Sequence, residues 1–110
     1  MSYDLHITRA QEFYESTKYP ITLEELQHYF AGQDDFSYQK EITSGGGPFT
    51  ISMEGNFFVW KTEEDEIEIP FRYFDGRLIV SGGDEWVVPK MKEIASALNA
   101  YVVGDDGERY

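Results

Sequence analysis

The sequence predicts an α+β fold in one domain, with an antiparallel sheet of about six to seven strands and two helices on one face, in the order β-α-β-β-β-β-β-α-β. Three observations lead there. Several short segments alternate apolar with polar residues, the period of a half-buried strand. Two longer segments repeat apolar residues at helical spacing between recognisable start and stop signals. The chain of 110 residues, 41 % hydrophobic and 16 % aromatic, is the size of a single domain and has enough apolar surface to offset the entropy of ordering it.

The first strand is Tyr3 to Thr8, where Tyr3, Leu5 and Ile7 alternate with Asp4, His6 and Thr8. Arg9 to Pro20 loses that period and reads as a loop whose Phe13, Tyr14 and Tyr19 are too apolar to remain fully solvated. The stretch PITLEELQHYFAG then carries a helix start: Thr22 and Glu25 have the spacing of a capping box, and Ile21 and Leu26 that of a hydrophobic staple. Leu23, Leu26, Tyr29 and Phe30 form its buried stripe, and Gly32 ends it.

Phe36 to Ile42 alternates again and makes a second strand. The SGGGP run at 44–48 is read as a connecting loop; a phosphate-binding loop would need a Lys-Ser/Thr pair opening a helix, and here Phe49 opens a strand. Two hairpins are expected next, one turning at Gly55-Asn56 and one at Asp75-Gly76. The first would pair Met53 with Phe58 and Ile51 with Trp60, the chain turning again over Lys61 to Glu64; the second would pair Tyr73 with Leu78, leaving Arg72 and Ile79 on the opposite face with Glu66 and Glu68. Pro70 lacks a donor and suits an edge or a bulge. Each strand pair thus yields one apolar and one mixed face, the pattern of a sheet packed on one side only. The last helix starts near Asp84 to Trp86, because Pro89 is tolerated only in a first turn; Met91, Ile94, Ala95 and Leu98 line it and Asn99 ends it. Tyr101 to Val103 forms a short strand before a turn at Gly104 to Gly107.

The formal net charge is −12, spread along the whole chain. Such a field repels phosphates and anionic headgroups, so nucleic acid and membrane are not expected partners, whereas a basic protein surface is the natural complement. An acidic surface also serves solubility alone. With no cysteine there is no disulfide, thiolate metal site or cysteine nucleophile. The opening MSYDLHITR lacks a basic segment followed by an apolar one, and no apolar run reaches membrane-spanning length, so the cytoplasm is the expected location.

Three stretches, Met1 to Arg9, Pro20 to Glu25 and Lys90 to Tyr110, resemble a family of small, acidic, uncharacterised bacterial proteins that open MSYDLxIxR and close GDDGExY. The resemblance implies no activity. By analogy only, small acidic bacterial proteins of this kind include immunity proteins, which neutralise a cognate toxin.

No catalytic signature is present. His6 and His28 are the two histidines, read respectively as lying on the solvent-leaning face of the first strand and flanking the helix stripe, neither beside a nucleophile. The acidic run at Glu63, Glu64, Asp65, Glu66 and Glu68 reads as a solvated turn and strand face, and Asp105-Asp106-Gly107-Glu108 lacks the spaced ligands of a calcium loop. No cofactor or metal is expected. The leading expectation is a non-enzymatic protein-binding protein, monomeric or a weak homodimer, occluding a basic, nuclease-like toxin. Its contact residues would be Glu63, Glu64, Asp65, Glu66, Glu68, Asp105, Asp106, Glu108 and Tyr110, with Tyr14 and Tyr19 as further aromatic anchors. The alternatives are a small-ligand or metal-binding domain or enzyme built on His6, Asp4 and the tail carboxylates, and a self-associating structural domain.

Overall fold

The computed structural model describes residues 3–46, 48–62, 67–81 and 85–110. Its elements are β1 (Asp4–Thr8), α1 (Leu23–Ala31), β2 (Phe36–Gly46), β3 (Phe49–Lys61), β4 (Glu68–Phe74), β5 (Arg77–Ser81), α2 (Val88–Ala97) and β6 (Tyr101–Gly104), with single 3-10 turns at Phe13–Glu15 and Glu85–Val87. The six strands form one antiparallel sheet in the order β2-β3-β4-β5-β1-β6. The expected α+β class therefore holds. After β1 the chain crosses to the far edge, returns strand by strand to pair β5 with β1, and uses α2 to reach β1's other side.

Both helices cover the face that carries Leu5, Ile7, Phe58, Phe71, Leu78 and Val80. Leu26 and Phe30 from α1 and Met91, Ile94 and Leu98 from α2 are buried in the same cluster. Local chemistry sets the helix ends. Thr22 Oγ1 accepts from the Glu25 amide at 3.2 Å while Glu25 Oε2 accepts from the Thr22 amide at 3.0 Å, the reciprocal capping box. Helix α2 has Pro89 in its first turn and is capped by Leu98, with Asn99 just beyond it at φ 54°. There the Ala100 amide bonds the Ala95 carbonyl at 2.8 Å and the Asn99 amide the Ser96 carbonyl, the two bonds of a Schellman motif.

The hairpin at Asp75-Gly76 forms as expected, with Tyr73 opposite Leu78 and Arg72 opposite Ile79. Both turn residues have positive φ, 49° and 79°, the requirement of a type I′ turn. Pro70 stands opposite Val59 of β3 but beyond the Arg72 to Phe74 stretch that pairs with β5, so its missing donor leaves no gap in that ladder.

Gly55-Asn56 is not a turn. β3 runs without interruption through it, and β2 pairs with β3 from Phe36↔Trp60 to Gly46↔Phe49. The register slips between Gln39↔Phe57 and Glu41↔Glu54, so that Gly55 and Asn56 together stand opposite Lys40. The dipeptide is a β-bulge, the other structure to which Gly in a strand is suited, and the chain reverses instead between Gly46 and Phe49, so Ser44 to Gly46, expected in a connecting loop, form the end of β2. The seven-strand end of the expected range presumed that turn.

The sheet is not packed on one side only. On the face away from the helices, His6, Thr8 and Val103 are buried. The loop after β1 folds back over them, with the Phe13 ring stacked on His6 at 4.2 Å and nearly parallel. His6 thus lies inside, 2 % exposed, and not on a solvent-leaning face. The expected turn after Lys61, the Glu66 position and the Asp84 helix start lie, wholly or in part, outside the described residues.

Candidate functional site

Buried beneath the loop, His6 is the hub of a polar network. Arg77 Nε donates to His6 Nδ1 at 3.2 Å, and because an arginine only donates, Nδ1 is the unprotonated nitrogen. Nε2 then carries the proton and donates to Asp105 Oδ1 at 2.8 Å. Asp105 Oδ2 accepts from the Asp4 amide at 2.9 Å. On the other side Arg77 donates to Ser16 Oγ at 2.9 Å, and Ser16 Oγ donates to the Asp75 carbonyl at 2.6 Å. Burial, foremost, lowers the pKa of His6 from 6.5, with the Arg77 charge acting the same way and the Asp105 hydrogen bond opposing them. Burial works against ionisation of Asp105, yet its bonds from His6 and the Asp4 amide outweigh that and leave its pKa below 3.8.

This constellation ties four distant segments together and leaves neither imidazole nitrogen a free lone pair or proton to offer. Ser16 likewise spends its proton on a backbone carbonyl. Among the described residues no group of three or more His, Cys, Asp and Glu side chains could hold a metal ion. The network's chemistry is that of a clasp.

The tail is organised by the same residues. Beyond β6 it turns at Gly107, φ 86°, and runs back along β6's outer edge, with the Gly104 amide bonded to the Glu108 carbonyl at 2.9 Å, Val103 bridged to Arg109, and the Tyr110 amide bonded to the Val102 carbonyl at 3.0 Å. The Arg109 guanidinium lies 4.1 Å from the Tyr101 ring centroid. Glu108's carboxylate and Tyr3's hydroxyl fill the space a side chain at Gly104 would need.

The expected contact residues therefore divide. Asp106, Glu108 and Tyr110 are exposed on the tail and Glu68 is exposed on β4 opposite Lys61, while Asp105 is half-buried and engaged inward. Glu63, Glu64, Asp65 and Glu66 lie outside the described residues. Tyr14 and Tyr19 are 67 % and 60 % exposed.

Sequence reasoning missed the far end of the sheet. Directly opposed residues share a face, so Tyr38↔Phe58 and Ile42↔Met53, four apart along β2, put Ile42 and Met53 on the helix-facing side. The bulge keeps β3's apolar residues there, and beyond the reach of α1 they become exposed, Ile51 at 69 %. Between the end of α1 and β2 opens a cleft of about 570 Å³, lined by Gln27, Phe30, Ala31, Gln33, Asp34, Phe36, Tyr38 and Phe58. Phe30 stacks on Phe58 at 4.6 Å to form its floor, and the Tyr38 hydroxyl is held by Asn56 of the bulge. Asp35, next to Asp34, is occupied by Lys90 Nζ and Trp60 Nε1, each at 3.0 Å, whereas Asp34 is exposed with no ion-pair partner among the described residues. The bulge signal was in the sequence as Gly55-Asn56, but it reads equally as a turn until its partner strand is known.

No family model matches the chain, and neither a curated protein nor a solved structure shows significant similarity to it. No helix among the described residues is long and apolar enough to cross a membrane.

Proposed function

We propose that this chain is a small acidic protein-binding protein that occludes a basic partner, in the manner of an immunity protein neutralising a nuclease-like toxin. The observation that carries the reading is the combination of a net charge of −12 with large aromatic and apolar side chains standing out of that acidic surface, Tyr14, Tyr19, Ile51 and Trp86 among them. Aromatic anchors desolvate well at the centre of an interface, and the surrounding carboxylates speed and orient the approach of a basic surface. An occluding protein requires no reactive group, and both imidazole nitrogens of His6 are already engaged by Arg77 and Asp105, although Asp4 Oδ1 beside them is buried without a hydrogen-bond partner among the described residues. The contact surface proposed here includes the acidic run from Glu63 to Glu68 and the tail residues Asp106, Glu108 and Tyr110. A cytoplasmic location fits the same role.

The test is co-expression with the proteins encoded beside this chain's gene, a basic nuclease-type toxin domain being the partner expected among them. A one-to-one complex whose affinity falls with salt, and loss of nuclease activity within it, are expected. Glu63→Lys, Glu64→Lys and Glu66→Lys together should weaken that complex and flatten its salt dependence. A bound metal or metabolite in native mass spectrometry, with no complex formed, would replace the reading by a ligand-binding one; a concentration-dependent dimer with no complex would replace it by self-association.

A further inference from the structure

The sheet has two ends of different character. At β6 the outer edge is closed by the chain's own tail, whereas at β2 no strand among the described residues pairs with the outer side. An open strand of this length presents a row of backbone donors and acceptors ready to template another strand. Beside it lies the aromatic cleft under the end of α1, with the Asp34 carboxylate at its rim. A lining that combines phenylalanine and tyrosine rings with an exposed aspartate suits a lysine or arginine side chain, whose methylene stem packs on rings while its cation meets the anion.

We infer that the outer edge of β2 receives an extended basic strand of the partner, which adds to the sheet beside Ser37 to Thr43 and places a Lys or Arg side chain in the cleft against Phe30, Tyr38 and Asp34. The inference rests on the acidic-binder reading and gives it a docking mode. Pairing to backbone supplies affinity that is tolerant of sequence, and the cleft supplies selection for a cation at one register. On the cleft's face β2 presents Tyr38, Lys40 and Ile42 to an added strand, with exposed Met53 and Ile51 of β3 one strand further in. A second copy of this chain is the poorer occupant, because two bodies of charge −12 repel.

The experiment uses the full chain and a synthetic peptide alternating Lys or Arg with Val and Ile, with a second peptide of the same sequence N-methylated at alternate residues so that charge and side chains stay but one edge of donors is lost. Hydrogen exchange is followed residue by residue. The unmodified peptide is expected to protect amides within 37–43 and the methylated one to bind at least about tenfold more weakly. Asp34→Lys, on an exposed residue, is expected to weaken binding about tenfold, in line with reversing a half-exposed charge pair. Ala31→Trp, which fills the cleft from an exposed position at the end of α1, is expected to lower affinity without altering the unfolding midpoint. Equal binding of the methylated peptide, protection mapping to Asp106, Glu108 and Tyr110 instead, or no binding of either peptide overturns the edge inference. Slow exchange across 37–43 that appears with protein concentration alone overturns it in favour of a second copy. None of these outcomes touches the broader reading, which fails separately if no salt-dependent complex forms with a basic toxin domain.

Discussion

Replacing Asp105 by alanine removes the acceptor of two hydrogen bonds at once, from His6 Nε2 and from the Asp4 amide. Each hydrogen bond to a charged group contributes roughly 1.5–3 kcal/mol, so a closed site would lose about 3–6 kcal/mol. The Asp105 side chain is 34 % exposed, however, and water reaching the cut site both satisfies the freed donors in part and already screens the carboxylate. The expected loss is therefore about 2 kcal/mol, which lowers the melting temperature of a domain this size by about 10 °C. Urea unfolding followed by the fluorescence of Trp60 and Trp86 measures it as a shift in midpoint at constant slope. Because the tail is clasped through the same carboxylate, the amides of Gly104 and Tyr110, bonded to Glu108 and Val102, should exchange faster in the variant. Asp106→Ala, one residue along and exposed, is the control and should change stability by no more than about 0.5 kcal/mol. A loss under about 0.5 kcal/mol for Asp105→Ala, with exchange at Gly104 and Tyr110 unaltered, would refute the clasp.

Three further outcomes follow from the same structure. Folding favours neutral His6, whose pKa burial lowers from 6.5, so the unfolded chain binds the extra proton first: this contribution is whole above pH 6.5 and is lost as pH falls below it, through the folded-state value. Asp105, Asp4 and Arg77 all face the ring, and the Asp105 contribution is lost only at lower pH, below 3.8. Stability measured by urea at stepped pH should decline from about pH 6.5 downward, and His6→Asn should flatten that slope. Asn99→Gly should stabilise the chain by about 0.5–1 kcal/mol, because glycine holds the left-handed φ of 54° at the end of α2 without side-chain strain; an unchanged thermal midpoint would count against the Schellman assignment. Gly76→Ala should destabilise by at least about 1–2 kcal/mol, since its Cβ would sit 2.8 Å from both the Pro20 side chain and the Ser16 carbonyl at a φ of 79°.

What the sequence disclosed and what it hid differ by range. The capping box at Thr22 and Glu25, the Asp75-Gly76 turn and the Asn99 helix end are each decided by a few adjacent residues, and each forms as expected. Gly55-Asn56 shows the limit of local chemistry: the same dipeptide serves a turn or a bulge, and the choice falls to the partner strand, which pairs on both sides of it once the glycine-rich segment has reversed the chain. His6 shows another limit. Alternation put it on the polar face correctly, but that face is covered by Phe13, Arg77 and a carboxylate 99 residues away, and no local pattern announces such partners. The acidic tail divided for the same reason, Asp105 turning inward to that histidine while Asp106 is exposed and Glu108, though exposed as a residue, rests its carboxylate over Gly104. The cleft by β2 was illegible because its walls, Phe30, Phe36 and Phe58, look in sequence like ordinary core.

The tail that closes β6 has a consequence for assembly. A sheet with two open edges can pass its pairing on from molecule to molecule and grow into a fibre, each added copy offering the next a fresh template. Among the described residues the outer side of β6 is bordered by the chain's own tail, so a strand added at β2 as proposed would find no equally open edge on the far side. On the proposed docking mode the molecule would act as a terminus, a stack of strands ending at it.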